Sequence, residues 1–525
     1  MFKLKPLYLS LISGLLLVLA WPPLPTAFIL LIALVPLFII HQQLENEKRR
    51  HLKYWAFVYL AMFIFNSGTT WWVWNASPSG CMMMLVLNSL LMSLPFLVFS
   101  WTKKVLPQIA YPAFISFYLG FEYFHFNWSA SWPWMTFGKG LASVPFYIQW
   151  YEFTGEMGGS LLILMVNVMI SHRLIQGQSK KLWQAATLVV MVGLISIGIQ
   201  TVENGDEKAM IALECVISQP NIDPYSEKFG DGDNYLYPEI QLEYAIEVAT
   251  PLLTPQTDIL LMPETAIVGA NDEAQLDNSQ LLKPLLQMTD SNQLCVLAGA
   301  ETYSIFRQKE RPSITARYDS FSSFWYDSYN TALLLDSNRV CNVYHKSRLV
   351  PGVEKMPFEF LEKLSIQLGG TSGSLGTSKK PINFTLAKGK GIKIAPLICY
   401  ESVFGDYTNE FVNDGAHILA VVTNDGWWGE TPGYAQHLLF GAIRCIETRR
   451  EMIRSANTGV SAKINRFGEI TQKTKYKERT AFKCEVRPYN IKTFYVRFGN
   501  LIGKLASIFS ILIILSLIVK IIIRR

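Results

Sequence analysis

Three reactive side chains each stand where a hydrophobic run stops. Leu260-Leu261-Met262-Pro263 runs into Glu264, Val343-Tyr344-His345 into Lys346, and Ile392–Ile398 into Cys399. After Cys399 come Tyr400-Glu401 and the helix-patterned stretch Val403–Phe411, ended by Gly415. Taken singly, each has a plain explanation: a surface glutamate, a solvated lysine, a cysteine serving as a small apolar residue. Taken together they are the parts of a nucleophilic site. A thiol attacks as its thiolate, which requires a base to remove the proton and a positive charge nearby. Glu264 supplies the base and Cys399 the nucleophile. Lys346 supplies the charge, first for the sulfur and then for the oxyanion of a tetrahedral intermediate. Along the chain 82 residues separate Glu264 from Lys346 and 53 separate Lys346 from Cys399, so only a fold can bring them together.

The segment that must do so, residues 205–490, alternates short β-rich runs with helical stretches. Met210–Ser218, Asp258–Met262, Leu294–Gly299, Ile392–Cys399 and Ile418–Thr423 read as buried strands, and Pro238–Leu253 and Gln436–Arg450 as amphipathic helices. Thr331–Asp336, Ser337-Asn338 and Arg339–Tyr344 read as a hairpin. Strand–helix alternation of this kind predicts an α/β sheet domain. Gly369–Ser378 is a Gly/Ser/Thr-rich loop.

The flanking sequence is of another kind. Apolar runs crowd the first 200 residues: Leu7–Ala20, Phe28–Ile40, Tyr54–Asn66, Met82–Ser100, Ala110–Phe124, Leu161–Ser171 and Leu182–Gln200. An eighth, Leu501–Val519, lies near the end. A bilayer takes about 20 mainly apolar residues to cross. The runs predict a polytopic α-helical membrane domain of about eight spans: residues 1–204 with seven, then the 205–490 domain, then a last helix in 491–525. The exit of the first run, Ala20-Trp21-Pro22-Pro23, is a poor cleavage context.

Only 17% of the residues are charged, which excludes a disordered chain and argues against a purely soluble one. The net charge of +6 is too small to indicate nucleic acid. The placement of the positive charges says more. Lys3, Lys5, Lys48, Arg49, Arg50, Lys53, Lys103, Lys104, Arg173, Lys180, Lys181, Lys520, Arg524 and Arg525 all fall on one side of the expected membrane, and the alternate short loops hold Lys139 and little else. Basic loops stay in the cytoplasm. Both termini are therefore expected inside and residues 205–490 outside, in the periplasm of a Gram-negative cell. Seven cysteines with no C-x-x-C pair give neither a zinc framework nor a disulfide scaffold.

The order Glu264, Lys346, Cys399 resembles the nitrilase superfamily, whose Glu–Lys–Cys triad sits on an α-β-β-α sandwich. The surrounding words are similar to one branch, the apolipoprotein N-acyltransferase family. The similarity lies in Met262-Pro263-Glu264-Thr265-Ala266, Tyr326–Thr331, Tyr344–Pro351, Ile398-Cys399-Tyr400-Glu401, Thr423–Gly429, Gln436-His437, Arg454–Gly459 and, in the membrane part, Trp132-Pro133-Trp134. The chain departs from the family pattern at Gly352-Val353-Glu354, where Phe-Gly-Glu is usual, and at Lys228-Phe229, where Lys-Trp is usual.

The resemblance implies an acyltransferase of the bacterial inner membrane. A fatty acyl chain would pass from a membrane phospholipid to Cys399, and then to the α-amine of the N-terminal cysteine of a diacylated lipoprotein, with no cofactor and no metal. It also implies supporting roles for Glu354, Tyr400 and Glu401, with Glu354 and Glu401 orienting Lys346 and the amine. Phe229, Trp325, Asn330, Trp427 and Trp428 are expected at the substrates. Phe358 and Phe360 join these aromatics as possible lids and walls for acyl chains. His437 has no metal-type partner at helical spacing and is expected to cap a helix or serve structure. Two rivals are a membrane-anchored nitrilase-type amidase, with water as second nucleophile, and a non-catalytic membrane binding module, which should have lost triad members.

Overall fold

The computed structural model describes residues 4–204, 210–230, 232–337, 339–355, 375–386 and 391–523. The chain divides into two compact units, Met1–Asp206 with Phe498–Arg525, and Glu207–Arg497.

In the first unit every one of the eight apolar runs is helical. The helices are Pro6–Leu19, a broken pair Leu30–Ala33 and Val35–Gln43, Arg50–Thr70, Pro78–Val105, Ala110–Phe126, Glu156–Ile175, Trp183–Asn204 and Leu501–Ile523. Among the described residues, Pro78–Val105, Glu156–Ile175, Ser179–Val202 and Leu501–Ile523 are long and apolar enough to cross a membrane; Pro6–Leu19 and Ala27–Gln43 are apolar but shorter. The break in the second run joins a local and a distant cause. Pro36 sits in the first turn of the second piece, and the side chain of buried Asn167 stands between the pieces, accepting from Leu34 N–H at 2.8 Å and donating to Leu30 C=O at 2.7 Å. Lys139 is not a loop charge: it is fully buried, with Nζ 2.8 Å from Glu156 Oε1. Its neighbour Gly138 is held to glycine, because a Cβ there would fall 1.8 Å from the Glu156 carbonyl oxygen.

The second unit is built on fourteen strands among the described residues. They are β1 (Leu213–Gln219), β2 (Thr257–Leu261), β3 (Ile267–Asp272), β4 (Cys295–Phe306), β5 (Arg317–Asp319), β6 (Phe324–Asp336), β7 (Arg339–His345), β8 (Phe384–Thr385), β9 (Lys393–Ile398), β10 (Ile418–Thr423), β11 (Met452–Ala456), β12 (Ala462–Ile464), β13 (Ile470–Lys473) and β14 (Thr480–Val486). One sheet runs β14-β1-β2-β4-β6-β5, with β3 beside β4 and β7 beside β6; the other runs β13-β12-β11-β10-β9-β8. Strands β1, β2 and β4 are parallel, as are β9, β10 and β11. These central strands read as near-continuous apolar runs because they are covered on both faces. The sheets face each other, β1 against β11 and β4 against β10. Helices Pro238–Ala249 and Lys283–Asn292 pack on the first sheet, and Gly405–Asn413 on β9 with Pro432–Thr448 beside it. The result is an α-β-β-α sandwich. The outer layer of the first sheet is sealed by Leu242, Ala245, Leu285 and Leu286 against Val216, Leu260, Val296 and Leu333. Each such buried leucine contributes about 2 kcal/mol of apolar transfer energy.

The hairpin is longer than its sequence pattern suggests. β6 begins at Phe324, and Thr331 pairs with His345 across to β7; Asn338 of the turn lies outside the described residues. The helix expected from Val403 starts at Gly405, because residues Cys399–Val403 form a 3-10 turn first. Of the Gly369–Ser378 loop, residues 369–374 lie outside the described residues; Leu375 N–H donates to Glu354 C=O at 3.0 Å.

Candidate active site

Glu264 follows β2 directly. Met262 N–H donates to Leu297 C=O at 2.9 Å, and Gly299 N–H to Pro263 C=O at 3.1 Å, so β4 holds the Pro-Glu turn from one side. Gly299 is required: a Cβ there would lie 2.5 Å from Glu264 Cα and 2.7 Å from Pro263 O. The carboxylate is buried and fully engaged. Oε1 accepts from Asn330 Nδ2 at 2.7 Å and from Lys346 Nζ at 3.1 Å; Oε2 accepts from Asn424 N–H at 2.9 Å.

Lys346 leaves the end of β7, its N–H bonded to Asn330 C=O at 2.8 Å. Its ammonium is 1% exposed and lies between two carboxylates, 2.8 Å from Glu354 Oε1 and 3.1 Å from Glu264 Oε1. Burial opposes the charge, but Glu264 and Glu354 outweigh it and hold Lys346 well above the ordinary lysine value. Glu354 is fixed by Val350 N–H on Oε2 at 2.9 Å and by Asn330 Nδ2 on Oε1 at 3.1 Å. The tight turn that returns it to Lys346 passes through Gly352 at φ +80°, a conformation that suits glycine. The departure at Gly352-Val353 thus still delivers a carboxylate to Lys346.

Cys399 sits at the step from β9 into the 3-10 turn, with φ +50°. A non-glycine residue held there costs about 1–3 kcal/mol and marks a position fixed by its surroundings. Burial pushes the thiol above the ordinary cysteine range, the Glu264 charge adds to the rise, and Lys346 pulls it back; Thr423 hydrogen-bonds the thiol. The resting sulfur is therefore protonated, with the acceptor and the cation both acting on it.

Glu401 is fully buried and braces this turn. Its Oε2 accepts from Ile398 N–H at 2.8 Å; its Oε1 accepts from Tyr344 OH at 2.6 Å and Ser347 N–H at 2.7 Å. It thereby ties the nucleophile turn to the residues flanking Lys346, and among the described residues it makes no hydrogen bond to Lys346 itself. Burial raises it to about 7 against those donors. Tyr400 is buried with its ring set edge-on to Phe404, centroids 5.1 Å apart.

The aromatic candidates divide. Phe229 stacks on Trp427 at 5.6 Å and 11°, and Tyr225 OH donates to the Trp427 carbonyl at 2.9 Å. Trp428 meets His437 edge-on at 5.5 Å. Trp325 stands further out along β6, against Tyr318 at 5.2 Å. Asn330 links the two carboxylates of the lysine cage. Phe358 and Phe360 lie outside the described residues.

Two partners, Asn424 and Lys228, were given no role from sequence. Asn424 gives its backbone N–H to Glu264 from the end of β10, and a Thr-Asn-Asp closing an apolar strand is the same strand-end signal that marked the triad. Lys228, 2% exposed, is pushed down to about 8 by burial, against the pull of the Glu301 and Glu264 carboxylates. His437 lies inside helix Pro432–Thr448, not at its end; its Nε2 is 3.1 Å from the Cys399 carbonyl oxygen in the 3-10 turn.

Comparison with known proteins gives a consistent result over most of the chain. Residues 13–169 match the apolipoprotein N-acyltransferase N-terminal domain, and residues 206–487 the carbon-nitrogen hydrolase family. The chain is 30% identical to the apolipoprotein N-acyltransferase of Chlorobaculum tepidum, over 95% of this chain and 94% of that one. It is 24% identical to that of Thermotoga maritima, over 95% of this chain and 91% of the other. The protein of the same name from Rhizobium leguminosarum is 29% identical over 64% of this chain and 60% of its own length. With both domain matches in chain order and a relative at this identity across nearly the entire sequence, the chain belongs to the apolipoprotein N-acyltransferase family.

Proposed function

We propose that this protein acylates lipoproteins in two half-reactions through a thioester on Cys399. In the first, Glu264 takes the Sγ proton as sulfur attacks an ester carbonyl of a membrane phospholipid. Lys346 and backbone N–H groups beside Cys399 hold the oxyanion; the ester C–O bond breaks, and Glu264 returns the proton to the departing glycerol oxygen of the lysophospholipid. In the second, the α-amine of the N-terminal cysteine of a diacylated lipoprotein attacks the thioester carbonyl. Glu264 takes the amine proton and passes it to the leaving sulfur, and an amide remains. The observation that carries this reading is the Lys346 ammonium shared by Glu264 and Glu354, with Cys399 held at positive φ and acted on by the Glu264 and Lys346 charges, on a chain of this family.

The setting follows from the same reading. Eight spans, seven in residues 1–204 and one in 491–525, hold the 205–490 domain on the periplasmic face of the inner membrane, with both termini in the cytoplasm. The burial of Lys139 against Glu156 supports this orientation, since it removes the one Lys or Arg of the short loops expected on the periplasmic side. Phe229, Trp325, Trp427 and Trp428 line the paths of acyl chains, Asn330 bridges the two carboxylates that hold Lys346, and no cofactor takes part. The direct test is mass spectrometry of a lipoprotein N-terminus from cells with and without this protein. The acyl group on the N-terminal amine should depend on it; a triacylated lipoprotein in cells lacking this chain and any other such enzyme would contradict the reading.

A further inference from the structure

Behind the nucleophile lies a buried polar cluster that the reaction as written does not use. His437, Asp425 and Arg454 come from three elements: helix Pro432–Thr448, the turn after β10, and β11. All three are fully buried. His437 Nδ1 lies 2.9 Å from Asp425 Oδ1 and 3.2 Å from Arg454 Nη2. Arg454 Nη2 donates to Asp425 Oδ2 at 2.5 Å, and Thr423 Oγ1 donates to Asp425 Oδ1 at 3.0 Å. The far nitrogen of the ring, Nε2, is 3.1 Å from the Cys399 carbonyl oxygen and 3.0 Å from Ser402 Oγ, and Ser402 Oγ itself donates to that carbonyl at 2.8 Å. With the ring proton on Nε2, where Nδ1 accepts from Arg454 Nη2, His437 and Ser402 both donate to the backbone oxygen of the nucleophile. A buried ion pair is costly to assemble unless its geometry is specified, and this one reaches the backbone carbonyl of the nucleophile.

The peptide plane turns that contact into chemistry. In a trans peptide the C=O and the following N–H point in opposite directions. Pulling the Cys399 carbonyl toward His437 and Ser402 therefore turns the Tyr400 N–H the other way, away from the helix layer. We propose that His437, held by Asp425 and Arg454, is a positioning residue: it fixes the Cys399–Tyr400 peptide so that the Tyr400 N–H serves, with Lys346, as an oxyanion donor. The cluster acts through the backbone and touches no substrate. It explains why a histidine stands in mid-helix against a strained cysteine with φ +50°. This inference rests on the acyl-transfer reading for its substrate, but its test does not.

The test compares two reactions of one thiol in the full-length protein. Acylation, by phospholipid vesicles or by a soluble p-nitrophenyl ester, needs both the thiolate and the oxyanion donors. Alkylation by iodoacetamide needs the thiolate alone. His437→Leu should lower the maximal rate of acyl-enzyme formation about 100-fold, the usual effect of losing one oxyanion donor, with KM within about threefold. Alkylation should change less than about threefold. His437→Gln, which keeps an N–H near the Nε2 position, should recover at least a tenth of the wild-type acylation rate. Ser402→Ala, which removes the second donor, should lower acylation in the same direction and spare alkylation, and it serves if His437→Leu does not fold. Wild-type acylation in His437→Leu and Ser402→Ala, an equal fall in acylation and alkylation, or a glutamine variant no better than leucine would each overturn the assignment. Wild-type protein that takes the p-nitrophenyl ester but not phospholipid would count against the donor reading and leave the test of His437 intact.

Discussion

The Lys346 ammonium lies nearer to Glu354, at 2.8 Å, than to Glu264, at 3.1 Å. The division has a chemical consequence. Glu354 pairs with Lys346, and Glu264, also held by Asn330 and Asn424 N–H, is the carboxylate whose charge acts on the Cys399 thiol. Removing the Glu354 charge would draw Lys346 fully onto Glu264 and weaken it as a base. Glu354→Gln should fold normally and slow acyl-enzyme formation by about 100-fold, the scale of a general acid–base partner. Stopped-flow acylation beside a thermal melt checks this. A variant with the wild-type rate would show that Glu354 only fills space.

Gly299 gives a test of how closely Glu264 is held. Its Cβ would meet backbone atoms of Pro263, Glu264 and Thr265, and backbone cannot move aside as a flexible side chain can. Gly299→Ala should cost about 1–3 kcal/mol and lower acylation by about 100-fold through displacement of the base. Gly352→Ala is the contrast, since nothing lies within 4 Å of its Cβ position. Its cost comes from φ +80° alone, about 1 kcal/mol. Equal losses in the two variants would mean that the Gly299 contact is not what places Glu264.

The raised thiol predicts a pH dependence of known sign. Burial and the Glu264 charge favour the protonated sulfur, so the thiolate fraction must still be growing above the ordinary cysteine range. The iodoacetamide rate at Cys399 should rise about tenfold per pH unit through pH 9 with no plateau. Lys346→Met should lower the rate further, because Lys346 is the group that pulls the thiol down. A plateau below pH 8 would indicate a stored thiolate and a different activation.

The membrane arrangement is tested by reporters. A fusion after Arg525 should report the cytoplasm, and an insertion in Gly369–Ser378 the periplasm. The reverse pattern would contradict the orientation read from the basic loops.

How much of this could be read from the sequence varied with how local the cause was. Cys399, Glu264 and Lys346 were legible because each ends an apolar strand, and a strand end is a local signal. The β9 and β10 strands were legible for the same reason, as runs covered on both faces. Glu354, Asn330 and Glu401 came from the family resemblance, and most of the contacts that hold the triad were not legible. Glu401 spends its carboxylate on Tyr344, Ser347 and Ile398, contacts across 57 and 54 residues in two cases, and no spacing rule announces them. Asn424 reaches Glu264 through its backbone N–H, which its residue type does not reveal. Lys139 read as a loop charge because its partner Glu156 lies 17 residues on, across several 3-10 turns. The break at Leu34 depends on Asn167, 133 residues away.

The central claim is that Cys399 carries the acyl group between two lipids, and intact-mass measurement of the purified protein tests it most directly. With phospholipid and no acceptor, the protein should gain one fatty acyl mass, mapped to Cys399 and removed by neutral hydroxylamine. Cys399→Ser should gain none, because a hydroxyl is a far weaker nucleophile at its free pKa. A diacylated lipopeptide should discharge the adduct, whereas a small amide should not. An acyl adduct that persists in Cys399→Ser, or that maps to Cys215, Cys295, Cys341, Cys445 or Cys484, would contradict the account.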